Sequence, residues 1–162
     1  MKTRTAMLLL SSLLMGTLGT RAQEMKTDHW SKAELLERAK HLQGLASKGE
    51  GSASETLEKY PHHYTMLAFR SSSGGGELHQ HFADIFYILD GHATVLTGGQ
   101  LIAPKTTGPG EIRGKSVEGG VLQVLRAGDV VHIPAGMPHQ VLLNEGDSIT
   151  YFVIKVEENR EE

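Results

Sequence analysis

The chain has 162 residues, a formal net charge of -3 and no cysteine. That length suits one domain, and the lack of thiols excludes disulfides, thiolate metal ligands and a cysteine nucleophile. The acidic balance argues against a nucleic-acid interface, which needs a basic face. At the start, Lys2 and Arg4 precede an apolar run from Ala6 to Leu18, and Thr20-Arg21-Ala22 places small residues three and one before Gln23. This is the layout of a secretory signal peptide over residues 1–22. The run is shorter than the roughly 20 apolar residues of a membrane span. The expectation is therefore an exported protein, periplasmic or extracellular, without a stable membrane anchor.

Residues 23–60 read as an N-terminal helix and linker. Ser31-Lys32-Ala33-Glu34 is a capping-box pattern. Leu35, Leu36, Ala39, Leu42 and Leu45 then recur at helical spacing, and Gly49 offers a stop, which predicts an amphipathic helix from about Lys32 to Ser47. Residues 49–54 read as a loop. Residues 61–156 read as short strands divided by glycine and proline turns, the pattern of an all-β sandwich or barrel. The predicted strands are Tyr64–Arg70, Glu77–Phe82, Asp84–Leu89, His92–Thr97, Val121–Leu125, Val130–Ile133, Gln140–Leu143 and Ile149–Val156. Asp90-Gly91 reads as a hairpin turn. Residues 103–120 are a glycine-rich excursion, and 157–162 a charged, frayed tail.

Two histidine motifs stand out. The first is His79-Gln80-His81, followed by Asp84 and Gly91. The second runs from Gly128-Asp129 through His132-Ile133-Pro134-Ala135-Gly136-Met137-Pro138 to His139. Histidines two apart on a strand share a face, with Cα atoms roughly 6.5–7 Å apart, so both imidazoles can meet one ion. A third histidine, brought in after the Pro134-Ala135-Gly136 turn, closes the site. The spacing thus predicts a metal inside a small barrel.

These motifs resemble those of the cupin superfamily. The family's first motif is Gly-x5-His-x-His-x3-4-Glu-x6-Gly, and its second is Gly-x5-Pro-x-Gly-x2-His-x3-Asn. The second fits from Gly128 through Pro134, Gly136 and His139, with Asn144 one residue late. The first fits at His79, His81 and Gly91. Its acid is Asp84 instead of Glu, with two residues between it and His81 instead of three or four. The resemblance implies a double-stranded β-helix, or jelly-roll barrel, with one N-terminal helix. It also implies one divalent transition metal (Zn, Mn, Fe, Cu or Ni) on His79, His81, Asp84 and His139. Glu77 alternates with the two histidines and competes with Asp84 as the acidic ligand. Its other roles are an acceptor for an imidazole N–H or a proton-moving group. His132 reads as a pocket group that moves protons or as an outward hydrogen-bonding residue. Gly110-Glu111-Ile112-Arg113-Gly114 reads as a surface loop with a salt bridge. The implied activities are those of metal-dependent dioxygenases, isomerases and decarboxylases on small molecules. The other readings are a non-catalytic module for a small ligand and a structural oligomeric barrel. The resemblance further implies a homodimer.

Overall fold

A computed structural model of the chain describes residues 27–158. The expected signal peptide, residues 1–22, lies outside the described residues, as do residues 159–162 of the tail. Among the described residues there is one helix, α1, which spans Lys32–Ala46. The capping box closes both ways: the Glu34 N–H donates to Ser31 Oγ at 3.2 Å and the Ser31 N–H to Glu34 Oε2 at 2.7 Å. Leu35, Ala39, Leu42 and Ala46 form its buried stripe, whereas Leu45 falls off it and stays exposed. Among the described residues no helix is long and apolar enough to cross a membrane.

The strands are β1 (Ser52–Lys59), β2 (His63–Arg70), β3 (Gly76–His79), β4 (Phe82–Thr97), β5 (Gln100–Ile102) and β6 (Lys105–Gly108). Then come β7 (Glu111–Gly114), β8 (Ser116–Glu118), β9 (Val121–Arg126), β10 (Val130–Ile133), β11 (His139–Leu142) and β12 (Ile149–Glu157). The main sheet runs β1-β2-β12-β4-β11-β3-β7-β6, with β9 and β10 also on β4, and β5 pairs with β8 alone. The first half of β4 lies between β12 and β10, and the second half between β11 and β9. This one strand therefore belongs to both walls of the barrel. The architecture is the expected all-β jelly roll with one helix.

Alternation along β2 and β12 explains the two cores. Ala68, Tyr151 and Val153 point into the barrel and join Phe86, Ile88, Val95 and Ile133. Leu67, Phe69 and, partly buried, Phe152 point outward to Leu35, Ala39 and Leu42 of α1. Burying a side chain such as Leu42 is worth about 1.5–3 kcal/mol.

Three local expectations are corrected. Asp90-Gly91 is not a hairpin but a bulge inside β4. The β12 partners step from Tyr151↔Ile88 to Thr150↔Asp90, leaving Leu89 extra. Gly91 has φ 75°, and a Cβ there would stand 2.0 Å from the Ser148 carbonyl oxygen, so glycine is required where the strand bends between walls. Residues 49–54 do not form only a loop, because β1 starts at Ser52 and pairs with β2 along its length. Its sequence hides this: Ser52, Ser54 and Thr56 alternate with a covered side on which Ala53 and Leu57 flank the charged Glu55. The tail does not fray at once, since Glu157 ends β12 and the Glu158 N–H donates to the His81 carbonyl at 2.9 Å.

Candidate metal centre

Cross-strand register assembles the centre. Glu77 and His79 are two apart on β3 and share a face. Strand β11 sets His139 directly across from Glu77. On the other side of β3, strand β7 sets Arg113 across from Glu77 and Glu111 across from His79. In the facing wall, β12 places Lys155 between Asp84 of β4 and Tyr64 of β2. The Gly136 N–H donates to the His79 carbonyl at 2.6 Å, so the Pro134-Ala135-Gly136 turn ties the second motif to the first.

His79, Asp84 and His139 are buried, and Glu77 is partly so. His79 Nε2 lies 3.6 Å from Glu77 Oε2 and 3.5 Å from Asp84 Oδ2, and His139 Nε2 lies 3.5 Å from that same Asp84 oxygen. Among the described residues neither Nε2 has a hydrogen-bond partner. The other ring nitrogens are pinned: His79 Nδ1 to Glu111 Oε2 at 2.7 Å, and His139 Nδ1 to the Met137 carbonyl at 3.1 Å. Both partners only accept, so each Nδ1 carries a proton, and in the neutral form that metal ligation requires each ring aims a bare Nε2 lone pair at the centre. Lone pairs facing carboxylate oxygens repel unless a cation lies between them. Imidazolium–carboxylate bonds would be shorter, about 2.7–2.9 Å. Ligand atoms about 2.0–2.2 Å from one shared ion stand about 3.0–3.5 Å from each other, close to the spacing found. Glu77, His79 and His139 therefore form a set that could hold a metal, Asp84 stands beside both imidazoles, and the pinned Nδ1 atoms are the orienting contacts that metal-bound imidazoles use.

Charges around the centre are matched. Burial alone would raise the Glu77 carboxyl, but contacts with His79, Arg113, His139 and Arg70 hold it well below the usual carboxylate range. Burial likewise opposes ionisation of Asp84, and His139, Lys155 and His79 outweigh it, so its carboxyl also stays lowered. Lys155 Nζ contacts Asp84 Oδ1. Arg70 Nη2 donates to Glu77 Oε1 at 3.1 Å, and its Nε donates to Tyr151 Oη at 3.1 Å. Glu77, His79 and Asp84 line a cavity of about 330 Å³, so the centre opens onto space for a ligand.

The structure thus brings together Glu77, His79, Asp84 and His139, and leaves out His81 and His132. His81 was expected as a ligand two residues beyond His79. Strand β3 ends at His79, the Gln80 N–H donates to the Gly110 carbonyl at 2.8 Å, and His81 is exposed. Its ring covers Gly110, where a Cβ would meet His81 Cδ2 at 2.5 Å. The alternation that would have pointed His81 inward is broken by that turn contact. His132, weighed as a proton-moving group, points outward, 53% exposed and 3.6 Å from Glu158 Oε1. Glu77 stands among the ligand candidates together with Asp84, not in place of it.

This placement shifts the motif register by two residues. Counted from His79, four residues precede Asp84 and six more precede Gly91, the family spacing without shortening. Glu77 then occupies the slot of the first histidine. The short link from His81 to Asp84 was the signal in the sequence. Glu111 and Arg113, read as surface loop, belong to the centre through β7, and Lys155 and Arg70 reach it from strands with no motif.

No protein-family model and no curated protein matches the chain. Among solved structures, the cupin domain of Cnp3 from Schizosaccharomyces pombe superposes with a TM-score of 0.51 at 11% identity, over 68% of this chain and 67% of that one. The barrel is a cupin fold. The DMSP lyase DddQ from Ruegeria pomeroyi DSS-3 gives a TM-score of 0.49 at 17% identity over 68% of this chain, which spans 49% of the lyase chain. The polyketide cyclase RemF from Streptomyces resistomycificus gives 0.49 at 14% identity, over 69% of each chain. At these identities the likeness concerns the cupin barrel alone.

Proposed function

We propose that this protein is an exported metal-binding cupin that acts on a small molecule beside a divalent transition ion. Glu77, His79, Asp84 and His139 hold the ion in this reading. The observation that carries it is the pair of buried, bare Nε2 atoms aimed at two carboxylates. A closed structural site would be sealed by protein, whereas three of these four residues line the cavity. That favours an ion open to a ligand over a purely structural one, and the reading taken is an oxidoreductase or isomerase, with a passive binding module as its alternative.

A bound transition ion would supply Lewis acidity or oxygen activation. The chain's own residues do the rest. Glu111 fixes the His79 tautomer, the Met137 carbonyl fixes that of His139, and Lys155 and Arg70 hold the two acids in place. Glu111 also lines the cavity, and with one oxygen held by His79 Nδ1 and Arg113 its other oxygen is the carboxylate atom placed to take a proton there. Val121, Leu122, Val124 and Val130 are exposed apolar residues on β9 and β10, which supports the homodimer.

The test is elemental analysis of the purified protein beside a His79→Ala/His139→Ala variant. The expected result is about one transition ion per chain, absent from the variant. No uptake after exposure to Zn, Mn, Fe, Cu and Ni would sink the proposal.

A further inference from the structure

The cavity beside the centre has an unusual charge balance. Its lining acids are Glu77, Asp84 and Glu111, and its lining cations are Arg70, Arg113 and Lys155. Each acid already has a cation: Glu77 has Arg70 and Arg113, Glu111 has Arg113, and Asp84 has Lys155. With both imidazoles in the neutral form that metal ligation requires, these charges cancel. A divalent ion then adds two positive charges that no other acid of the lining offsets. Unpaired charge in a partly buried space is costly, and an anion entering from solvent relieves it.

The cations are not equally free. The side chains of Arg70 and Lys155 are 17% and 9% exposed, each fixed in the wall by its partners. That of Arg113 is 43% exposed. Its Nη1 contacts Glu77 Oε2, the same oxygen that faces His79 Nε2. The guanidinium and a metal ion therefore contend for one atom. Once an ion takes that oxygen, Arg113 loses its nearest partner at the cavity wall. A planar fork of donors so placed suits a carboxylate, which it can bind through two parallel bonds. Met66, Phe86 and Val153 supply an apolar part of the same lining.

We infer that the metal-loaded cavity takes a small organic anion, a carboxylate with an apolar body, and that Arg113 is the residue that grips its head. The inference rests on the metal reading above and adds the substrate class. Metal and anion must then favour each other's binding reciprocally, because each compensates charge that burdens the other. Arg113 opposes metal binding and supports anion binding, so its removal moves the two affinities in opposite directions.

Calorimetric titration tests this with Zn²⁺ first, then with benzoate, acetate and the neutral isostere benzamide, on stripped and loaded protein. Loaded protein is expected to bind benzoate at least tenfold tighter than stripped protein, with no gain for benzamide. Arg113→Gln is expected to bind Zn²⁺ more tightly than wild type and benzoate at least tenfold more weakly, with Arg113→Lys between them in benzoate affinity. Benzamide gaining as much as benzoate would overturn the inference. So would an Arg113→Gln protein that binds benzoate as well as wild type, or loaded protein that binds neither carboxylate. Failure to take up Zn²⁺ and, in its place, Mn, Fe, Cu or Ni would overturn the metal reading and this inference with it. Normal uptake without anion preference would overturn this inference alone.

Discussion

His79 and His139 stand beside carboxylates at the barrel centre, and His62 and His132 stand beside carboxylates at the rim. His62 Nδ1 lies 3.0 Å from Glu157 Oε2, and His132 Nε2 lies 3.6 Å from Glu158 Oε1. The chemistry of the partners is the same, yet the settings differ. The inner side chains are 4% and 3% exposed, the outer ones 80% and 53%. Water screens the outer pairs, whose coupling is worth about 0–1 kcal/mol. At the centre the rings are buried and each ring's second nitrogen is pinned, so the Nε2 atoms are aimed inward and left without a hydrogen-bond partner among the described residues. A histidine beside an acid becomes a metal-ligand candidate here through burial and pinning, not through residue type.

The largest expected effect breaks or upholds this contrast directly. His79→Ala/His139→Ala abolishes stoichiometric metal after dialysis, while His62→Ala/His132→Ala retains it. Elemental analysis of both proteins decides, and loss of metal from the rim variant would end the comparison. Next in size is Glu111→Gln, which weakens the acceptor for His79 Nδ1. Removing such an orienting contact typically costs about 10–100-fold in metal affinity. Competition against a chelator measures it, and Glu157→Gln at the rim should leave the affinity unchanged.

A smaller effect concerns acid. Glu77 and Asp84 both have carboxyls lowered in the fold. Unfolded carboxylates titrate near about 4. The sign follows: in the metal-free protein their stabilisation is complete above about pH 5 and fades as the pH falls through 4 toward the folded values. Urea unfolding at descending pH should show this loss, and Asp84→Asn should make the slope shallower. A stability that holds level from about pH 5 to 2.5 would contradict it. The smallest effect is at the rim, where Glu157→Gln should change unfolding free energy by no more than about 0.5 kcal/mol.

Much of the barrel was legible in advance. The capping box at Ser31 and Glu34, the helix stripe through Leu42, and the β12 alternation followed from period and turn chemistry. Strand β1 did not, because an edge strand with a half-covered face needs few apolar residues. The unity of β4 did not either. Asp90-Gly91 carries the same signal for a hairpin and for a bulge, and only the pairing with β12 separates them. In the centre, the parity of Glu77 and His79 was visible, and so was the shortened link to Asp84. The end of β3 after His79 was not, since it depends on the Gly110 turn packing against His81 from far along the chain.

The sequence by itself determined the cupin motifs, the helix and which residue types could meet an ion, because those depend on local periodicity and spacing. Tertiary structure decided the membership of the centre. Glu111, Arg113 and Lys155 reach it by register between strands, and register depends on which edges pair and where a bulge falls. It also decided which histidines matter, because burial is a property of both barrel walls together and of no single strand.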